Sequence, residues 1–207
     1  MPRPPVRRPR PTATLAAMPH LVANNLSLYY EQAGAGWPLV LLHGLGLDCR
    51  MWDAHWQPLA ARYQVTRYDV RGHGRSAAPA TGYSRDARVN ELRALLRGLG
   101  IARCHLVGLS MGATIALGFA LRHPALVSGL VLADFLVAGA RLPLPIPRQD
   151  LAHILRAEGA DAARHAWLAE PLFAPALANP AAAPLLRTMV QEHSCALWRD
   201  PSRPPRT

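Results

Sequence analysis

The sequence predicts an α/β fold built on a mostly parallel sheet, and three observations support that expectation. Short continuous apolar runs such as Pro38-Leu39-Val40-Leu41-Leu42 mark strands buried on both faces. Stretches with apolar residues at helical spacing lie between them. Strand and helix alternate through about residue 135, the signature of right-handed βαβ units.

The elements follow in order. Residues 20–32 alternate polar and apolar around Asn24-Asn25, a pair suited to a tight hairpin turn. The apolar run at 38–42 ends at His43-Gly44-Leu45-Gly46. Residues 49–63 carry Met51, Trp52, Trp56, Leu59 and Ala60 at helical spacing. Residues 65–70 read as a second buried strand, running into Asp69-Val70-Arg71-Gly72-His73-Gly74-Arg75-Ser76. Residues 86–99 repeat Val89, Leu92, Leu95, Leu96 and Leu99, a helix closed by Gly100. A strand at 105–109, a helix at 110–122 stopped by Pro124, and a strand at 126–133 complete the alternation. After Phe135 the pattern changes. Residues 136–148 are Pro-rich and loop-like, and 149–198 hold two or three alanine-rich helical segments with no strand between them, which reads as a cap over an α/β body.

Composition narrows the function. Half of the 207 residues are hydrophobic, so the chain can bury a core. No apolar run approaches the roughly 18 residues needed to cross a bilayer, so no membrane partner is expected. All 23 basic residues are arginine, which removes P-loop, Schiff-base and Ser-Lys chemistry. The net charge of +10 is concentrated at the ends, because residues 11–198 carry 16 arginines against 12 acids. The arms at 1–17 and 201–207 are expected to be disordered, with Met18 a plausible start. No aromatics interleave with the arginines, so nucleic acid is not an expected partner. Cys49, Cys104 and Cys195 are too few and too scattered for a disulfide framework or a zinc site, and a reducing, cytoplasmic setting fits them best. No metal, nucleotide or flavin motif is present, and no cofactor is expected.

The chemistry centres on Gly108-Leu109-Ser110-Met111-Gly112, a G-x-S-x-G pentapeptide at a strand-to-helix junction. A serine on such a turn stands exposed in strained backbone, with room only for glycine on either side. Ser110 is the expected nucleophile, and the Met111 N–H is placed to hold a developing oxyanion. The loop at His43-Gly44-Leu45-Gly46 emerges at the same sheet edge, and Leu45 N–H is the natural second donor. His43 is expected to brace that loop.

Together, His-Gly-x-Gly, Asp-x-Arg-Gly-x-Gly-x-Ser and Gly-Leu-Ser-Met-Gly, each following a strand, resemble the α/β-hydrolase superfamily over about residues 20–200. The pattern looks most like ester and lactone hydrolases of the 3-oxoadipate enol-lactonase type, with carboxylesterases and C–C bond hydrolases as relatives. The resemblance implies a serine hydrolase acting on a small carboxylic ester or lactone through an acyl-enzyme. Serine at 110 departs from the epoxide hydrolases and haloalkane dehalogenases of the superfamily, which place aspartate there. Asp69 and Arg71 are expected to pin the turn they sit in.

A serine nucleophile needs a base and an orienting carboxylate, in the order Ser…Asp/Glu…His. Neither the late strand ending in Asp nor a late Gly-His is found after Leu136, so the sheet is expected to lack its last strands and the chain to be truncated. Asp134 ends the last predicted strand and is the substitute acid to consider. His153, His165 and His193, expected on cap helices, are weak candidates for the base, and His123 is expected to complement a helix dipole. Hydrolysis is therefore expected to be impaired, and a non-catalytic binding protein or fragment is the alternative. The strand at 126–133 would be a bare apolar edge, prone to self-association.

Overall fold

The computed structural model describes residues 20–134 and 150–201. The expected arm at 1–17 and the Pro-rich loop at 136–148 lie outside the described residues, as does the tail after Pro201. Among the described residues six strands form one sheet: β1 (His20–Ala23), β2 (Leu26–Ala33), β3 (Pro38–Leu42), β4 (Gln64–Tyr68), β5 (Cys104–Leu109) and β6 (Val127–Ala133). Their order is β1-β2-β4-β3-β5-β6. β3 runs parallel to β4 and β5, and β5 parallel to β6, while β1 and β2 form the antiparallel margin.

Asn24 and Asn25 both take positive φ, 51° and 62°, as a two-residue turn whose twist matches the strands requires. Along β3 the side chains alternate between two cores. Val40 and Leu42 face Leu28, Tyr68, Leu106 and the helices α2 (Arg85–Gly98) and α3 (Met111–Arg122). Leu39 and Leu41 face Trp52, Trp56 and Leu59 around α1 (Asp53–Ala60). Two buried faces explain why the strand reads as a continuous apolar run, each fully buried leucine contributing about 1.5–3 kcal/mol.

Several expected boundaries shift. The helix expected over 49–63 splits into a 3₁₀ turn at Cys49–Trp52 and α1, which ends at Ala60. The second buried strand stops at Tyr68 because Asp69 is already committed to a turn. Ser110 is excluded from α3 by its positive φ of 51°. Among the described residues after 150 the two or three expected helices are five: α4 (Leu151–Ala157), α5 (Ala160–Leu168), α6 (Ala174–Ala178), α7 (Ala183–Gln191) and α8 (Ala196–Arg199). Gly159, Pro171, Asn179 and the left-handed Cys195 divide them.

These helices share their own apolar cluster, formed by Leu151, Leu155, Trp167, Phe173, Val190 and Trp198 with Tyr83. Leu45 and Leu47 pack against it, which ties the helical part to the loop after β3. Polar ties join the same edge: Ser194 Oγ donates to the Gly72 carbonyl at 2.5 Å, and Arg50 pairs with Glu192 at 2.5 Å. At the other side of the sheet β6 pairs only with β5 among the described residues, and Val131 is 56% exposed on it. No helix among the described residues is long and apolar enough to cross a membrane.

Candidate active site

Ser110 sits between β5 and α3 with φ 51° and ψ −108°, a conformation that costs an L-residue about 1–3 kcal/mol. Packing enforces it. A Cβ at Gly112 would overlap the Leu42 carbonyl, with its carbon only 2.6 Å away, and a Cβ at Gly108 would fall 2.5 Å from the Ala113 nitrogen. The two glycines thus let α3 press against the ends of β3 and β5. The Ser110 N–H donates to the Ala133 carbonyl at 2.8 Å, which fixes the serine to the end of β6. Its side chain is exposed, and Oγ has no hydrogen-bond partner among the described residues.

β3 and β5 are paired through Leu42 and Gly108, so the loops that follow them emerge side by side. The loop after β3 is a turn closed by Leu47 N–H on the Gly44 carbonyl at 3.3 Å. Leu45 and Met111 lie on the two neighbouring loops, and neither N–H donates a hydrogen bond among the described residues. Met111 opens α3, where backbone donors have no intrahelical partner. His43 lies beneath, fully buried. Its Nδ1 meets the Gly44 carbonyl at 2.8 Å, and its Nε2 accepts the Val70 N–H at 2.9 Å. Both ring nitrogens hold backbone, and burial pushes its pKa below the usual range, so His43 braces the loop as expected.

The turn after β4 is pinned by the residues the sequence singled out. Asp69 accepts the N–H groups of Cys49 and Arg75, each at 2.8 Å, and its carbonyl accepts the Ser76 hydroxyl at 2.5 Å. Arg71 Nε donates to buried Glu91 at 2.7 Å, and its guanidinium also reaches the Gly82 carbonyl. Among the described residues, Asp48, Cys49 and Asp69 could hold a cation, their donor atoms lying within 4.8 Å of one another. Both Asp69 oxygens already hold backbone N–H groups, Asp48 is paired with Arg50, and burial pushes the Cys49 thiol far up. The cluster is built as a turn.

The histidines depart from expectation. His193 lies in the turn after α7, not on a helix or at the surface, and is 2% exposed. It belongs to a buried stack that sequence reasoning missed: His43, His73 and His193 follow one another at 5.0 and 4.9 Å, with Trp198 4.7 Å beyond. No spacing rule joins three histidines from three distant segments. Burial pushes His73 well down and His193 down to about 4, with Arg164 adding to the latter. His193 is thus a poor base near neutral pH. His153 and His165 are exposed on α4 and α5. His123 is the C-cap of α3, its backbone N–H donating to the Phe119 carbonyl at 2.8 Å, and burial followed by the charges of Arg93 and Arg122 lowers its pKa. Asp134, with φ 46°, directly follows the carbonyl that anchors Ser110, and its side chain is exposed. No described histidine is bonded to Ser110.

Comparison with known proteins adds the family. Residues 39–207 match the model of the Alpha/beta hydrolase family. The chain belongs to that family. Its fold is similar to the enol-lactonase from Burkholderia xenovorans, with a TM-score of 0.73, 26% identity, and coverage of 87% of this chain and 70% of that one. An uncharacterized protein of Mycobacterium tuberculosis is 40% identical over 105 residues, 51% of this α/β-hydrolase chain and 31% of that protein. A soluble epoxide hydrolase of Corynebacterium is 32% identical over 127 residues, 59% of this chain and 44% of that enzyme. The chain therefore spans less than half the length of these curated relatives.

Proposed function

We propose that this chain is a serine hydrolase of small carboxylic esters or lactones with Ser110 as nucleophile. The observation that carries the proposal is the strained, exposed Ser110 held between Gly108 and Gly112 at the sheet edge. Ser110 Oγ attacks the carbonyl carbon, and the N–H groups of Leu45 and Met111 stabilise the oxyanion. Collapse expels the alkoxide, which takes up the serine proton and leaves an acyl-serine. Water then releases the acid and restores the serine. The likeness to an enol-lactonase supports the substrate class, and serine at 110 separates the site from an aspartate-based epoxide hydrolase. The helices after residue 150 roof the site as a cap, and three free, buried cysteines suit a reducing, cytoplasmic setting.

With no base bonded to Ser110 among the described residues, the rate rests on the oxyanion donors and binding, worth about 10³–10⁴ over water. That same observation favours a second reading, a binding protein that keeps the fold without turnover. Hydrolysis of p-nitrophenyl acetate separates the two. A slow rate abolished in Ser110→Ala is the outcome for the hydrolase, and equal rates in both proteins are the outcome for the binding protein.

A further inference from the structure

We propose that the turn at His193 is an acid-sensitive latch, which holds the helical part on the sheet and releases it when the His193 Nδ1 takes up a proton. The hydrogen bonds fix the tautomers. In His43 and His73, Nδ1 meets a backbone carbonyl, that of Gly44 at 2.8 Å and that of Arg71 at 2.9 Å, so each ring carries its proton on Nδ1. His193 is the reverse. Its Nδ1 accepts the Cys195 N–H at 3.2 Å, so its proton sits on Nε2. The one lone pair on which His193 can gain a proton is therefore occupied by backbone. A proton there turns the acceptor into a donor and leaves the buried Cys195 N–H without a partner.

Several contacts hang on that bond. Cys195 is held left-handed at φ 59°, and its carbonyl accepts the Trp198 N–H at 3.0 Å. Trp198 stacks on the His193 ring and packs on Trp167, whose indole lies against Gly46 so closely that a Cβ there would overlap it. Ser194, between His193 and Cys195, makes the bond to the Gly72 carbonyl beside His73. The surroundings refuse the charge. His73 and then His43 stack on one side, from the turns after β4 and β3. Arg164 of α5 donates to the His193 carbonyl at 2.8 and 3.0 Å, and the charge of Arg88 on α2 acts on both other rings. Asp48 favours a proton at His193 and Asp69 one at His43, but Asp48 is paired with Arg50 and Asp69 holds two backbone N–H groups. The ring gains its proton when the turn lifts into water, so acid favours the lifted form. Leu45 and Leu47 pack against the same helices, and lifting uncovers the loop after β3.

Amide hydrogen exchange of the full chain, followed by NMR and corrected for its intrinsic pH dependence, tests the latch. Between pH 7 and 4.5 the opening that exposes the Cys195 and Trp198 amides should grow about 30- to 100-fold. That is the ratio for one histidine with a pKa of about 4 when closed and about 6.5 when open. The amides of β3 should exchange more slowly than these at both pH values, because the latch lifts without unfolding the sheet. His193→Asn keeps an acceptor near the place of Nδ1 and cannot titrate, so it should remove most of the growth. No growth, equal rates in β3, or undiminished growth in His193→Asn would each overturn the proposal. Should that variant fail to fold, long-range ¹H–¹⁵N spectra of the wild-type chain at pH 7.5 decide. They should show His193 protonated on Nε2 alone, and a proton on its Nδ1 would overturn the latch.

Discussion

The backbone N–H of Ser110 donates to the carbonyl of Ala133 at 2.8 Å, so the C-terminal end of β6 holds the candidate nucleophile position in place. Strain at Ser110 is thereby confined to its own φ and ψ. Ser110→Gly removes the strain and Ser110→Ala keeps it. Glycine at 110 should be the more stable of the two by about 1–2 kcal/mol, despite its greater chain entropy in the unfolded state. Urea unfolding of the two variants measures the difference, and equal stabilities would mean that the positive φ carries no strain.

Gly112 has no room for a methyl group against the Leu42 and His43 carbonyls. Gly112→Ala should push α3 away from β3 and cost about 1–3 kcal/mol, as overpacking does. Gly100→Ala is the control. Nothing lies within 4 Å of a Cβ there, so only its positive φ of 68° opposes the change. Thermal melts showing the smaller loss at position 112 would contradict the packing.

The buried His43, His73 and His193 are neutral in the fold, and all have lowered pKa values. Below the ordinary histidine pKa of about 6.5, the unfolded chain binds protons that the folded chain refuses. Stability is therefore complete above about pH 6.5 and is lost as pH falls toward the folded values, for His193 about 4. Each histidine adds up to about 1.4 kcal/mol per pH unit to the slope. Unfolding between pH 7.5 and 4.5 measures it, and His193→Asn should flatten it. A pH-independent stability would mean that the rings take up protons in the fold as readily as in the unfolded chain.

Glu91 is 2% exposed and faces Arg71, and burial raises its pKa against the pull of that guanidinium. Arg71→Met should cost about 3–5 kcal/mol by removing the guanidinium that faces the buried carboxylate. Arg71→Met combined with Glu91→Leu should recover much of the loss, since an apolar pair often substitutes for a buried ion pair. A double variant as unstable as the single would show that Arg71 acts through the Gly82 carbonyl instead.

Among the described residues β6 pairs on one side only, and its apolar run leaves Val131 56% exposed. The described chain should self-associate there, and Val131→Lys should return it toward a monomer. Light scattering during gel filtration reads both, and a monodisperse wild-type monomer would contradict the expectation.

Much of this architecture is legible in sequence because local rules and packing agree. The doubly buried β3 and β4 read as buried strands, Asn24-Asn25 as a hairpin turn, and Gly108 and Gly112 as the points where backbone meets backbone. The roles of His43, Asp69 and Arg71 follow from their places in turns. The five short helices after residue 150 blur into two or three because alanine-rich segments keep helical spacing across the breaks at Gly159, Pro171 and Asn179. The histidine stack and the Trp167–Gly46 contact are absent from any local pattern, since each joins segments far apart in the chain.

The central claim is that the Ser110 hydroxyl accepts an acyl group, and acyl trapping tests it most directly. The chain is incubated with p-nitrophenyl butyrate, quenched in acid, and its intact mass and peptides are measured. A single butyryl adduct on the peptide containing Ser110, absent in Ser110→Ala, is the result predicted. An adduct elsewhere, or none while p-nitrophenol is released at the same rate by both proteins, would contradict it.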